Sequence, residues 1–449
     1  MEFIEACRKF ISIDSSPSHG TKALAEFAAD LCQQRGLRVE LQNEFHGDLE
    51  QSNIIARPAF NERPSLEFMM QTHLDTVDPG PFGLWADTGH NPFDAHIIDG
   101  KIYGLGAADV KLDFLCKLEA MSTFAKNSSW KLPPVLVGTF GEELGMMGSL
   151  KLIRKNKVSP KMALIGEPSE LRVINAAKGF AGVEIRIPYS SGEKKYKEEH
   201  NLRESTSTQS RIFHGKAAHS SMPHLGDSAI KKMLEYLLQL PDSVVVMEAD
   251  GGVNFNTVPS NAFLELDLVS GHFDSMASKI STIYREIRDL EAEFLRYRDE
   301  DFSPSHPTLN IGIIRTFEDH VFISGNCRIP PIVTNEIYES WIARLIKVCK
   351  SVGAEFRVND YKRPFRVKQD SMLMRGCLDE LARMGLNVTP ITQASTNETS
   401  LYARLGIDCL SFGPGQRDGN IHTPREHVSI EDLNRAVQFY KNIIQRFCL

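Results

Sequence analysis

Short apolar runs that stop at an acid or an imidazole constrain this chain more than any other feature. Residues 133–140, Pro-Pro-Val-Leu-Val-Gly-Thr-Phe, read as a buried strand and lead straight into Gly141, Glu142 and Glu143. Adjacent carboxylates at the mouth of a core strand repel each other. They are either solvated in a loop or held beside positive charge. The same punctuation recurs along the chain. Residues 66–71 run into Thr72-His73-Leu74-Asp75, Ile165 into Gly166-Glu167-Pro168, and Ser411-Phe412 into Gly413-Pro414-Gly415 and on to Ile421-His422-Thr423-Pro424. In extended chain His73 and Asp75 fall on one side, where the carboxylate can accept the imidazole's second N–H and fix its tautomer.

The elements between these stops alternate. A helical pattern at 21–35 precedes strand patterns at 37–41, 53–57 and 66–71, a helix at 112–124, and strands at 135–140 and 162–165. This predicts an α/β layer with a sheet between helices. The texture changes after Lys178. Residues 180–188 and 263–269 alternate as strands, and 189–210 are polar and charged, a pattern that predicts a mobile hairpin loop or insertion. Met276, Ile280, Ile283, Ile287, Leu290 and Phe294 recur at spacings of three and four, one buried stripe of a long helix over 273–298. Helices at 335–352 and 371–384, a strand at 407–412 and a last helix opened by Ser429-x-x-Asp432 complete the chain. The expected fold is therefore two-domain α/β. A central mixed sheet flanked by helices comes from 1–177 and 360–449, and an α+β domain is inserted at 178–359.

Composition removes several function classes. With a formal net charge of −7 and no long basic run, an electrostatic grip on nucleic acid is not expected. No stretch of 18 apolar residues occurs, so no spanning helix and no membrane partner are expected. The start, MEFIEACRKFISID, reads as an amphipathic helix on Phe3, Cys7, Phe10 and Ile11 instead of a signal peptide. Eight scattered cysteines without C-x-x-C suit free thiols in a reducing compartment, and the expected location is cytoplasmic.

Gly104-Leu105-Gly106-Ala107-Ala108-Asp109 resembles a dinucleotide fingerprint, but Asp109 stands where the third glycine belongs. A carboxylate there would face a pyrophosphate at a helix start, whereas it suits a cation. Ligands of open α/β sheets bind beyond the carboxyl ends of strands. His73, Asp75, Glu142, Glu143, Glu167 and His422 all follow such ends, and Asp109 opens a helix. So many carboxylates cannot converge and stay ionised without counter-charge. Two divalent ions would supply it, and mixed His/carboxylate ligation suits zinc, with cobalt or manganese as alternatives.

The ordered set H-L-D (73–75), G-L-G-A-A-D-V-K (104–111), E-E (142–143), G-E-P (166–168), G-K-A-A-H-S-S-M-P (215–223), N-T-V-P (256–259), G-P-G (413–415) and H-T-P (422–424) resembles the M20 family of metallopeptidases and deacylases. The resemblance runs over nearly the whole chain. It implies a catalytic domain with an inserted lid domain that dimerises, and two metals bridged by Asp109 and a water. One metal would take His73 and Glu167, the other Glu143 and His422. Glu142 would be the general base, Asp75 the orienter of His73, and His219 a residue that reaches the partner subunit's site. The implied activity is hydrolysis of the amide bond of an N-acyl amino acid, of deacetylase or desuccinylase type. A dipeptidase or carboxypeptidase acting on short peptides is the alternative.

Two departures from the family pattern bear on substrate. Relatives carry D-x-R after the N-x-V-P hairpin, but here Leu266-Asp267-Leu268 leads to Val269, and the arginine stands sixty residues later in Asn326-Cys327-Arg328. Arg328, with Asn256 beside it, is the candidate carboxylate clamp. Glu398, in Thr396-Asn397-Glu398-Thr399, resembles the T-E-A of acetylornithine deacetylases and points towards short N-acyl groups.

Overall fold

The computed structural model describes residues 1–59, 65–127, 129–200, 208–241, 244–268 and 275–449. The chain divides into two compact units, one of residues 1–176, 366–392 and 397–449, the other of 177–365 and 393–396.

The first unit is built on a mixed sheet in the order Leu37–His46, Leu49–Pro58, Pro134–Thr139, Glu67–His73, Pro160–Gly166, Asp408–Phe412 and Ile174–Ala177. The four middle strands are parallel neighbours, while the outer pairings are antiparallel. Alternation along each strand assigns the side chains to two layers. Phe68, Met70, Leu136, Leu164 and Leu410 enter one core with helices Phe3–Ser12, Lys22–Gln34, Lys111–Ser122, Met372–Arg383 and Ile430–Phe447. Met69, Val135, Val137, Ala163 and Ile165 enter the other, with Leu152 of helix Met147–Arg154 and Tyr402 of helix Thr399–Ala403. Both faces are covered, which is why these strands read as unbroken apolar runs. All eight cysteines are buried thiols without a disulfide. Among the described residues no helix is long and apolar enough to cross a membrane.

The second unit is a seven-stranded antiparallel sheet, ordered Thr208–His214, Asn261–Leu268, Val244–Gly251, Thr308–Thr316, His320–Ile329, Gly179–Pro188 and Glu355–Lys362. The last strand pairs Asp360, Tyr361 and Lys362 with Gly182, Ala181 and Phe180, so residues 360–365 go with this unit and not with the first. Helix Met276–Phe294 buries all six residues of its predicted stripe. Its amino end is capped twice, by Ser275 and by the buried Glu193 carboxylate, which accepts the Met276 amide at 2.6 Å.

That cap corrects the reading of 189–210. Residues Ser191–His200 form a helix, and its buried side is anchored by Glu193, by Tyr196 Oη donating to Asp267 at 3.0 Å, and by Lys197 over the Tyr189 ring at 4.1 Å. A polar sequence mimicked a loop because its buried contacts are hydrogen bonds, which leave no apolar stripe. Residues 201–207 and Val269 lie outside the described residues.

Candidate metal centre

The parallel strands end side by side. His73 is in register with Thr139, and Gly166 with Phe412, so the segments after them emerge on one edge of the sheet. The loop after Thr139 carries Glu142 and Glu143, the turn after Gly166 carries Glu167, and the segment after Phe412 leads to His422. The peptide of Gly413-Pro414-Gly415 passes close to two of these segments. A Cβ on Gly413 would stand 2.5 Å from the Glu167 carbonyl oxygen, and one on Gly415 would stand 2.4 Å from that of Ala108. Only glycine permits such approaches, which is the physical content of the G-P-G motif.

Asp109 lies at the centre. One carboxylate oxygen is 3.2 Å from His73 Nε2 and the other is 3.2 Å from His422 Nε2. His422 Nε2 is also 3.0 Å from Glu143 Oε1. Ligand atoms of His73, Asp109 and Glu143 all fall within 4.8 Å of one another. Burial opposes charge on His73, Asp109 and His422, yet the contacts outweigh it. Hydrogen bonds to Asp109 and Asp75 hold His73 well above the usual imidazole range, and Asp109 with Glu143 lifts His422 to about 11. The two imidazoles conversely keep Asp109 well below the carboxylate range. The surrounding acids move the other way. Burial, then Asp109, pushes Glu167 up to about 8, and burial, then Glu143, raises Glu142.

This is the electrostatic signature of a set short of positive charge. Two protons, one between each imidazole and Asp109, would supply part of it, while further acids nearby are driven towards neutrality. Replacing those two protons by two divalent ions would satisfy the same donors. His73, Asp109, Glu143 and His422 therefore fit a metal ion in composition as well as in placement.

Asp75 departs from the expected H-x-D contact, because a carboxylate oxygen stands 3.6 Å from His73 Nδ1 and the carboxylate is taken up by two main-chain amides. Its carboxylate oxygens accept the amide N–H groups of Glu142 at 3.1 Å and Glu143 at 3.0 Å, while its main-chain oxygen is 3.1 Å from His73 Nδ1. One residue thus fixes both the imidazole and the glutamate doublet.

Glu398, read from sequence as a marker of acyl preference, is fully buried inside the sheet layer. It accepts Thr139 Oγ1 at 2.9 Å and Ser149 Oγ at 2.7 Å, below the strand end that leads to Glu142. It is held by hydroxyls inside the sheet layer. Glu426, which sequence reasoning passed over, is buried and accepts the amides of Ala108 and Asp109. Its only signal was an acid four residues after His422.

The other sequence candidates, His219, Asn256 and Arg328, belong to the second unit. His219 bridges Thr257, and the Ser220 amide donates to the Asn256 carbonyl at 2.8 Å. Asn326 Nδ2 is 3.4 Å from Asn256 Oδ1, and Arg328, two residues along the same strand, is buried with its guanidinium over Phe180 at 4.7 Å. His219 Nδ1 lies 3.2 Å from the Ser221 amide and 2.7 Å from Ser221 Oγ, and as an acceptor of that amide it would leave the neutral ring's proton on Nε2.

Comparison with known proteins gives a consistent picture. Residues 69–446 match the model of peptidase family M20/M25/M40. The chain is similar to an acetylornithine deacetylase of Myxococcus xanthus, 24% identical over 455 residues covering 98% of this chain and 96% of that one. Among solved structures, an M20 family metallo-carboxypeptidase from Sulfolobus solfataricus shares the fold at TM-score 0.64 and 18% identity, over 100% of this chain and 99% of that one. An aminoacylhistidine dipeptidase from Vibrio alginolyticus does so at TM-score 0.65 and 16% identity, over 99% and 96%. The chain belongs to peptidase family M20/M25/M40 and is a hydrolase of that family.

Proposed function

We propose that this protein removes the acyl group from an N-acyl amino acid by hydrolysing its amide bond at a two-metal centre. The observation that carries the reading is Asp109, whose two oxygens each face a histidine at 3.2 Å, the placement a bridging carboxylate requires. In this reading His73 and Glu167 hold one cation and Glu143 and His422 the other, zinc in the first instance. When bound, the cations supply charge neutralisation and a water whose pKa is lowered towards about 7.

The chain's own groups do the rest. Glu142, kept off the metals, takes the water's proton and later gives it to the leaving amine, a role suited to a carboxyl whose pKa burial and Glu143 already raise. His219, its ring proton left on Nε2 when Nδ1 accepts the Ser221 amide, donates to the oxyanion, and in a homodimer it would come from the partner copy. Arg328 and Asn256 are proposed to bind the substrate's carboxylate and carbonyl. The similarity to acetylornithine deacetylases supports a small N-acyl group, whereas the dipeptidase and carboxypeptidase neighbours share only the fold.

The test is metal analysis joined to a substrate screen. Two divalent ions per chain are expected, with activity lost on chelation, restored by zinc, cobalt or manganese, and highest on N-acetyl or N-succinyl amino acids. Turnover confined to dipeptides would replace the deacylase reading with the peptidase one. A protein that binds no divalent ion would end both. The anchoring by Asp75 gives a second expectation. Asp75→Ala, which frees the Glu142 and Glu143 amides, should weaken metal binding about 10–100-fold, read by competition with a chelator of known affinity. Unchanged affinity would mean that the doublet needs no such anchor.

A further inference from the structure

Glu426 is a buried acid that the mechanism above leaves without a task. It is 1% exposed, four residues beyond His422, and its Oε1 accepts two amides, Ala108 at 2.9 Å and Asp109 at 3.0 Å. The contact returns through the main chain, where the Gly104 amide donates to the Glu426 carbonyl at 3.0 Å. Two adjacent N–H groups converging on one oxygen form an anion nest that fixes the orientation of the peptides on both sides of Ala108. These amides stand just before helix Lys111–Ser122, where a carboxylate also complements the helix's positive end. Lys111 Nζ, fully buried, donates to the Ile13 carbonyl at 3.2 Å and is near enough to Glu426 to feel its charge.

The placement matters because of what Asp109 must do. Its side chain has two torsions, and both oxygens must stay 3.2 Å from imidazoles on different segments. Two torsions cannot absorb a shift of the main chain and keep both distances. The residue that pins that main chain sits on the loop that carries one of the two imidazoles.

We infer that Glu426 is a positioning residue that locks the Asp109 main chain to the His422 loop and so sets the separation of the two cation positions. This rests on the metal-centre reading and adds to it a residue outside the ligand set. It acts by accepting hydrogen bonds, so an uncharged acceptor of the same shape should serve.

The experiment compares the full-length wild type with Glu426→Gln, Glu426→Ala and Glu426→Asp, titrated with cobalt(II) by calorimetry and by the visible spectrum of the bound ion. Wild type should take two cobalt ions. Glu426→Gln, whose amide oxygen accepts the same two N–H groups, should keep both ions and the spectrum. Glu426→Ala should bind cobalt about 10–100-fold more weakly, with altered visible bands and a fall in kcat larger than any change in KM. If Glu426→Ala does not fold, Glu426→Asp, one methylene too short to reach both amides, carries the same expectation. Wild-type cobalt affinity and spectrum in the alanine or aspartate variant would overturn the inference while leaving the metal centre intact. A glutamine variant as impaired as the alanine one would overturn it too, by assigning the effect to charge. Failure of the wild type to bind cobalt would instead overturn the metal-centre reading.

Discussion

Glu142→Gln is expected to keep the wild-type metal content and to lose about 10²–10⁴-fold in turnover. The two halves of that result have separate causes. Among the described residues no hydrogen bond or ion pair joins Glu142 to His73, Asp109 or His422, whereas Glu143, its neighbour, reaches His422 at 3.0 Å. Adjacent residues leave the backbone in divergent directions, so one doublet can supply a ligand and a base. Asp75 fixes that division by accepting both amides. Glutamine preserves shape and removes only the capacity to accept and return a proton. The variant is checked by metal analysis beside kcat and KM on an N-acyl substrate. Loss of metal together with activity would make Glu142 a ligand, and near-normal turnover would place the base elsewhere.

What the sequence revealed and what it hid divide along physical lines. The segments that carry His73, Glu142, Glu143, Glu167 and His422 were legible because each follows an apolar run, and runs buried on both faces announce themselves without any partner. The six-residue stripe of helix Met276–Phe294 was legible for the same reason, since periodicity is local. Residues 191–200 were misread because Glu193, Tyr196 and Lys197 are held by polar contacts with distant residues, Met276, Asp267 and Met247. No local pattern reports a buried hydrogen bond to a partner eighty positions away.

Glu426 and Glu398 were hidden by the same logic. A buried acid and a solvated one share a letter, and the distinction lies in the amides and hydroxyls that surround them. Glu398 was noticed by its motif, but its hydrogen bonds with Thr139 and Ser149, about 250 residues earlier in the chain, could not be read from it. The approach of Asn326 to Asn256, seventy residues apart, was equally non-local.

Behind the candidate metal centre lies a buried ion pair whose loss should cost the fold several kilocalories per mole. Lys117 and Asp113, one turn apart on helix Lys111–Ser122, are completely withdrawn from solvent at 2.6 Å. Asp113 also accepts Thr72 Oγ1 at 2.9 Å and Tyr440 Oη at 2.6 Å, and Lys117 donates to the Gln71 carbonyl at 2.6 Å. Every partner lies on the strand that ends in His73 or on the last helix. Burial lowers the Lys117 pKa, with Asp113 opposing that shift, so the lysine's charge depends on its carboxylate. Asp113→Ala should therefore strand a buried cation and destabilise the protein by about 3–5 kcal/mol, measured by denaturant unfolding. Lys117→Met added to that change should recover part of the loss, because it removes the uncompensated charge and leaves only unpaired neutral groups. A single-variant cost below about 1 kcal/mol would put the pair in the range of exposed salt bridges. Additive costs would show that the two residues do not act as a unit.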